Sequence, residues 1–90
     1  MDVEKLRKIN VLYVEDDEFS LNNVELLCSH YVKNFYKATN GKDGLKVYEE
    51  KKPDVILTDI KMPIMNGIEM VNKIRKKDKN TKIILISAYD

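Results

Sequence analysis

Cysteine is nearly absent from this chain, and so is any long apolar segment. Its 90 residues include one cysteine, Cys28, so no internal disulfide can form, which is consistent with a reducing compartment. No apolar run approaches the length needed to cross a bilayer, and the first five residues carry two acids and no apolar leader segment. The sequence therefore predicts a cytoplasmic protein that does not enter the membrane.

An excess of charge of one sign is also missing. Sixteen lysines and arginines nearly balance fifteen aspartates and glutamates, and the net charge at pH 7 is +1. The whole domain therefore lacks the field that would attract nucleic acid or a membrane surface, and we expect function to depend on local groups. Repeats and linkers are absent too, so we predict a single domain over residues 1–90 with one modest core.

Four short apolar segments have the composition of buried strands. They are Ile9–Val14, Asn34–Ala38, Val55–Thr58 and Ile83–Ile86, the second being the weakest. Helical patterns are predicted between them, over residues 20–31, over residues 44–51 and from Gly67 onward. Strands that alternate with helices indicate a parallel sheet with helices on both faces, which is an α/β fold of the doubly wound type.

The first predicted helix contains apolar residues at helical spacing, and Asp17 before it is a candidate N-cap. We expect these residues to form the buried face of the helix, with Cys28 as a further small buried side chain. The face consists of Phe19, Val24, Leu27 and Tyr31.

Acidic residues and one hydroxyl follow the predicted strands directly. They are Glu15, Asp16 and Asp17 after the first strand, Asp59 after the third and Ser87 after the fourth. If the first and third strands are neighbours, as the flavodoxin-like order requires, these groups meet at the carboxyl edge of the sheet. Carboxylates that lie together repel one another unless a cation or shared protons compensate, and Mg²⁺ prefers such hard oxygen ligands. The sequence therefore predicts an acidic pocket that binds Mg²⁺.

A carboxylate in such a pocket can attack phosphorus and form an acyl phosphate, while a metal and a hydroxyl neutralise charge. Asp59 and Ser87 are the candidates for these two roles. Taken alone, the acidic run could be a solvated turn with a helix cap, and Ser87 an ordinary serine at a strand end. Their coincidence with the segment after Asp59 favours a functional site.

Two stretches of the sequence resemble one known family. The acidic end of VLYVEDD, and DVILTDIKMPIMNG from Asp54 to Gly67, resemble the response-regulator receiver domains of two-component signalling systems. The acidic cluster, the Asp-x-x-Met-Pro-x-Met-Asn-Gly segment and the Ser-Ala pair at Ser87 are highly specific in combination. The resemblance extends from about Ile9 to the last residue, and it implies a flavodoxin-like parallel sheet with strand order 2-1-3-4.

The resemblance also implies a role for each site residue. Asp59 would receive a phosphoryl group from a histidine kinase or a histidine phosphotransfer protein, and the domain would then switch conformation. Asp16 and Asp59 would bind Mg²⁺ directly, Glu15 would support the metal directly or through water, and the backbone carbonyl of Lys61 would complete the protein ligands. Ser87 would bond to the phosphoryl group. Such a bacterial domain is a regulatory module, which assists its own phosphorylation and dephosphorylation, and is not an enzyme.

The family continues beyond the fourth strand, through further helices and a fifth strand that ends in a lysine. We therefore expect an incomplete receiver domain, in which no lysine can take the phosphate-contacting role. Its fourth strand, Ile83–Ile86, would form an exposed edge. We expect self-association along this edge or a C-terminal segment swapped from another copy.

Three other interpretations have different requirements. A receiver-like interaction domain without phosphotransfer would have the same fold and would not need the lysine. An aspartate-nucleophile phosphatase of the haloacid dehalogenase type would need a second acid where Lys61 stands. A flavin-binding protein would need a phosphate-binding loop after the first strand, where Glu15, Asp16 and Asp17 would repel the phosphate.

Overall fold

The computed structural model describes residues 2–86, which form four helices and four strands. In chain order they are α1 (Val3–Leu6), β1 (Asn10–Val14), α2 (Glu18–Cys28), β2 (Asn34–Ala38), α3 (Gly41–Lys51), β3 (Val55–Asp59), α4 (Gly67–Arg75) and β4 (Lys82–Ile86). Every predicted strand is present within one residue at each end. The helix α1 was not predicted from the sequence, because its four residues are too few to show a helical period.

The four strands form one parallel sheet with the order β2-β1-β3-β4. This confirms the predicted 2-1-3-4 order and places β1 and β3 side by side. Val14 at the end of β1 lies opposite Ala38 of β2 and Thr58 of β3. β1 is buried on both faces, which is why its sequence is continuously apolar and does not alternate.

The main core fills the space between one face of the sheet and the helices α3 and α4. Its buried members are Leu12, Val14, Ala38, Tyr48, Ile56, Met70 and Ile74. The close approach of α3 depends on Gly44, since a Cβ atom there would lie 2.7 Å from Met70 Sδ and 2.9 Å from Val14 Cγ2. The other face is covered by α2, where Glu25 forms an ion pair of 2.8 Å with Lys37 of β2. The helices therefore lie on both faces, as predicted.

The predicted buried face of α2 is wrong. Phe19 is 75% exposed, Leu27 71% and Tyr31 50%, whereas Leu21 is the buried residue of this helix at 5%. Cys28 was expected to be buried and is only partly so. Apolar residues occur on more than one side of α2, so the helical period alone could not decide which side meets the sheet.

β4 forms one edge of the sheet within the described residues. Its side chains Ile84, Leu85 and Ile86 are between 40% and 46% exposed, which agrees with the exposed edge expected from the sequence. Among residues 2–86, no helix combines the length and the apolar composition needed to span a bilayer.

Candidate functional site

Three carboxylates meet at the carboxyl edge of the sheet. Glu15 and Asp16 follow the last residue of β1, and Asp59 is the last residue of β3. Val14 and Thr58 are register partners in the neighbouring strands β1 and β3. The residues that follow them, Glu15 and Asp59, therefore lie next to each other. One oxygen from each of Glu15, Asp16 and Asp59 lies within 4.8 Å of the others. The structure thus brings together three of the residues selected from the sequence.

Glu15 is the buried member of this cluster. Its Oε2 accepts a hydrogen bond of 3.1 Å from the backbone N–H of Asp17, and its Oε1 accepts one of 3.3 Å from the hydroxyl of Tyr13. Burial raises the pKa of Glu15, and the nearby charges of Asp59 and Asp16 raise it further, while the Asp17 N–H acts in the opposite direction. The carboxylates of the cluster therefore repel one another, and the burial of Glu15 adds to the cost of its charge.

The donor atoms of the cluster fit Mg²⁺. All three side chains offer hard oxygen atoms, and Asp16 is exposed to solvent while Asp59 is partly buried. Such a site allows one or two carboxylates to bind the ion directly and leaves the remaining positions to water or a phosphate oxygen. A bound cation would also relieve the repulsion from Asp59 and Asp16, which adds to the effect of burial on the pKa of Glu15.

Tyr13 is a residue of this site that the sequence analysis missed. It is 4% exposed, and burial together with the charge of Glu15 raises the pKa of its phenol to about 12. The sequence contained a signal for this contact, since residues two apart in a strand project from the same face.

Asp59 is held by the start of α4 as well as by β3. Its Oδ1 accepts a hydrogen bond of 2.8 Å from the backbone N–H of Ile60, and its carbonyl accepts one of 2.9 Å from Thr58 Oγ1. The backbone N–H of Gly67 donates to the carbonyl of Ile60 at 2.8 Å. A Cβ atom at position 67 would overlap the Asp59 carbonyl oxygen, so only glycine allows α4 to begin here.

The loop between β3 and α4 is also held by α3. The first residue of α3, Gly41, donates its backbone N–H to the carbonyl of Met65 at 2.8 Å, and a Cβ atom there would lie 2.9 Å from the carbonyl oxygen of Asn66. Asn66 caps α4 through a bond of 2.8 Å from the backbone N–H of Glu69. Lys61 lies in this loop with its side chain exposed.

The remaining predicted residues lie elsewhere. Asp17 is the N-cap of α2, as predicted, and it accepts hydrogen bonds from the backbone N–H and the hydroxyl of Ser20 at 3.1 and 2.6 Å. These bonds lower the pKa of its carboxyl. Asp17 is therefore a structural residue beside the cluster. Ser87 lies outside the described residues 2–86.

Comparison with known proteins identifies relatives of this chain. It is 50% identical over 52 residues to the chemotaxis protein CheY of Thermotoga maritima, and this match covers 58% of this chain and 43% of the relative. It is 33% identical over 78 residues to CheY of Halobacterium salinarum, with coverage of 87% and 65%. It is 32% identical over 81 residues to the transcriptional regulatory protein AfsQ1 of Streptomyces coelicolor, with coverage of 90% and 36%. The chain thus spans less than two thirds of the length of each of these relatives.

Solved structures with the same fold are also known. The N-terminal domain of an uncharacterized protein from Wolinella succinogenes matches with a TM-score of 0.86 and 32% identity, covering 91% of this chain and 66% of that one. A receiver domain of a Francisella response regulator matches with a TM-score of 0.82 and 28% identity, covering 92% and 69%. The family model of the response regulator receiver domain matches residues 11–90. The chain therefore belongs to the response regulator receiver domain family.

Proposed function

We propose that this chain is a phosphoacceptor domain, in which Asp59 receives a phosphoryl group in a reaction that depends on Mg²⁺. The observation that supports this proposal most directly is the meeting of Glu15, Asp16 and Asp59 within 4.8 Å at the carboxyl edge of the sheet. Asp59 also begins the Asp-x-x-Met-Pro-x-Met-Asn-Gly segment of a chain that belongs to the receiver family. Receiver domains of response regulators are regulatory, so the expected output is a change of conformation.

Mg²⁺ would be held by Asp16 and Asp59, with support from Glu15 directly or through water and from the backbone carbonyl of Lys61. When bound, the ion neutralises the negative charge on the transferring phosphoryl oxygens. The carboxylates of Asp16 and Asp59 are the accessible members of the cluster, and Glu15 lies behind them as the buried one. This arrangement supports direct contact of the ion with Asp16 and Asp59, and a supporting role for the carboxylate of Glu15.

Asp59 would be the nucleophile, attacking phosphorus as the ionised carboxylate. A new bond forms between its oxygen and phosphorus, and the bond from phosphorus to the donor nitrogen breaks, so that the donor imidazole keeps the electron pair. The hydrogen bond of 2.8 Å from the Ile60 N–H to Asp59 Oδ1 restrains the carboxylate before the reaction. Ser87 would donate its hydroxyl to the phosphoryl group after transfer.

The phosphodonor would be the phosphohistidine of a histidine kinase or of a histidine phosphotransfer protein, in the cytoplasm. Membership of the response regulator receiver family supports this choice of partner. Self-association through the open edge of β4 is a second proposed contact, and the exposed side chains of Ile84, Leu85 and Ile86 support it. Direct binding of nucleic acid is not part of the proposal, because the net charge of the chain is only +1.

Intact-mass spectrometry tests the proposed acceptor. The chain is incubated with acetyl phosphate and Mg²⁺, beside an Asp59→Asn variant and beside the wild type with a chelator. We expect one phosphoryl adduct on the wild type with Mg²⁺, stable in acid and removed by hydroxylamine, and none on either control. An adduct that persists in Asp59→Asn would show a different acceptor. The complete absence of an adduct would favour an interaction domain without phosphotransfer.

A further inference from the structure

A buried tyrosine lies directly below the carboxylate cluster and has no part in the proposed reaction. Tyr13 lies on β1 between Leu12 and Val14, which both face the main core, so its own side chain projects from the opposite face. Its register partners are Lys37 on β2 and Leu57 on β3. Glu15 follows two residues later and projects from the same face as Tyr13. The phenol is therefore next to the predicted ligand set without belonging to it.

Both carboxylate oxygens of Glu15 accept hydrogen bonds. The Tyr13 hydroxyl donates to Oε1 at 3.3 Å, and the backbone N–H of Asp17 donates to Oε2 at 3.1 Å. Two donors on opposite oxygens restrict rotation of the carboxylate about its terminal bond. The orientation of Glu15 thus depends on a side chain that is itself not a candidate ligand.

The contact is also required by the burial of the tyrosine. A hydroxyl that is taken out of water and left without a partner costs free energy, so buried polar atoms are almost always paired. In the described part of the chain, every buried side-chain nitrogen or oxygen has a hydrogen-bond partner, and the acceptor found for Tyr13 is Glu15. Tyr13 and Glu15 therefore form a mutually dependent pair beside Asp16 and Asp59.

We infer that Tyr13 is a positioning residue of the magnesium site: by holding Glu15 Oε1 it fixes the supporting carboxylate and sets the affinity for Mg²⁺. This inference rests on the proposed function, because it assumes that Glu15 supports a metal. Groups that bond to metal ligands typically change metal affinity by about 10-fold to 100-fold when they are removed. We expect the lower end of this range, because the Asp17 N–H still holds Oε2.

The test measures Mg²⁺ binding without any phosphodonor. An ion that binds only the folded chain raises the midpoint of thermal unfolding, and the dependence of this shift on Mg²⁺ concentration gives the dissociation constant. Tyr13→Phe removes one hydroxyl and keeps the ring, and we expect it to weaken Mg²⁺ binding by about tenfold. Tyr36→Phe is the matched control. It makes the same change on β2, opposite Leu12 and so on the other face of the sheet, and it should leave Mg²⁺ binding unchanged.

A second measurement separates positioning from general loss of structure. In a Glu15→Ala background, which removes the acceptor, Tyr13→Phe should cause no further change in Mg²⁺ binding, because its effect is transmitted through the carboxylate. In phosphorylation by acetyl phosphate, Tyr13→Phe should raise the Mg²⁺ concentration that gives half the maximal rate, while the rate at saturating Mg²⁺ stays close to that of the wild type. A purely structural role would instead lower the rate at saturating Mg²⁺ as well.

A third measurement needs no variant. The chain has five tyrosines, and ¹³C labelling of their rings gives a signal for each one. We expect the Tyr13 signal to shift when Mg²⁺ is added and the Tyr36 signal to stay in place. An unchanged Tyr13 signal in a chain that binds Mg²⁺ would contradict the inference, even if Tyr13→Phe does not fold.

Failure of this inference can be distinguished from failure of the proposed function. If the wild type binds Mg²⁺ and is phosphorylated on Asp59, but Tyr13→Phe binds Mg²⁺ equally well, Tyr13 is not a positioning residue and the proposed function stands. The same holds if the effect of Tyr13→Phe persists in the Glu15→Ala background. If the wild type itself shows no shift with Mg²⁺, the magnesium site is wrong, and the inference fails with it.

Discussion

Ile64 adopts a backbone conformation that is unfavourable for its side chain. Its φ is 70°, in the left-handed region, and its side chain is 76% exposed, so no packing compensates for the strain. A left-handed conformation costs an ordinary residue about 1–2 kcal/mol, and a β-branched side chain is especially uncommon there. The loop that follows Asp59 thus contains a strained residue whose replacement affects neither the core nor the carboxylates.

Asparagine adopts the left-handed region more readily, so Ile64→Asn should stabilise the protein by about 1 kcal/mol in urea unfolding. Ile68→Asn is the control, because Ile68 is also exposed, at 41%, but lies in α4. Ile68→Asn should instead lower the free energy of unfolding slightly, since asparagine forms helices poorly. Equal effects of the two changes would show that polarity, and not the backbone, decides the result.

The carboxylate of Asp78 accepts four hydrogen bonds. Tyr48 donates its hydroxyl at 2.6 Å, Thr81 donates both its hydroxyl and its backbone N–H, and the backbone N–H of Asn80 donates at 2.9 Å. The bonds from Thr81 and Tyr48 hold the pKa of Asp78 far below its usual value of 3.8. The carboxylate thereby connects the turn before β4 to α3, in which Tyr48 lies.

Because its folded pKa is lowered, Asp78 stabilises the fold fully above about pH 4, and this stabilisation is lost as the pH falls through the lower folded value. We expect Asp78→Asn to be less stable than the wild type at pH 7 and to show a shallower loss of stability between neutral and acidic pH. Urea unfolding at a series of pH values measures this. Parallel pH profiles of the two proteins would mean that other groups control acid unfolding.

At the scale of the elements, the start of α4 is fixed by the strand it follows. Gly67 packs against the Asp59 peptide so closely that a Cβ atom would lie 3.1 Å from the Asp59 carbonyl carbon and 3.2 Å from Ile60 Cα. Both neighbours are backbone atoms, which cannot rotate away as a side chain can. A larger residue must therefore displace either the helix or the end of β3, which includes the phosphoacceptor candidate.

We expect Gly67→Ala to destabilise the fold by about 1–3 kcal/mol in urea unfolding, as overpacking does elsewhere. It should also slow phosphorylation of Asp59 by acetyl phosphate, because the displaced backbone carries this residue. Ile68→Ala, one position further in the same helix, tests whether any change at the start of α4 has this effect, and it should leave both properties nearly unchanged. A stable and fully active Gly67→Ala protein would contradict the close packing.

At the scale of the whole molecule, the sheet has two edge strands within residues 2–86, β2 and β4. An apolar edge strand with unpaired backbone groups is a template for pairing with another chain. β4 contains one charged residue, Lys82, followed by four apolar ones, and its last three side chains are more than a third exposed. These properties support the proposed contact between two copies through β4.

Light scattering over a range of concentrations tests this contact. We expect the wild type to form dimers as its concentration rises, and Ile84→Lys, which adds charge to β4, to remain monomeric under the same conditions. Leu26→Lys makes the same kind of change at a more exposed apolar residue, 70% exposed on α2, and should associate like the wild type. A wild-type chain that is monomeric at every concentration would exclude the edge as a contact.

The sequence by itself determined the four strands, the three longer helices and the three carboxylates of the candidate site. Buried parallel strands need continuous apolar runs, so the four strands could be located within one residue at each end. The acidic residues had to follow strands directly, because charged groups cannot lie within a buried strand without compensation. Strand order then placed Glu15, Asp16 and Asp59 at one edge, and the structure brings them within 4.8 Å of one another.

Only the tertiary structure decided which surfaces of these elements meet. The sheet packs against Leu21 of α2 and leaves Phe19 and Leu27 exposed, a choice that a helical period cannot make. The contact of Tyr13 with Glu15 and the overlap that forbids a side chain at Gly41 or Gly67 depend on distances of a few ångströms between distant segments. Local sequence encodes propensity and pattern, whereas these contacts arise from packing between residues far apart in the chain.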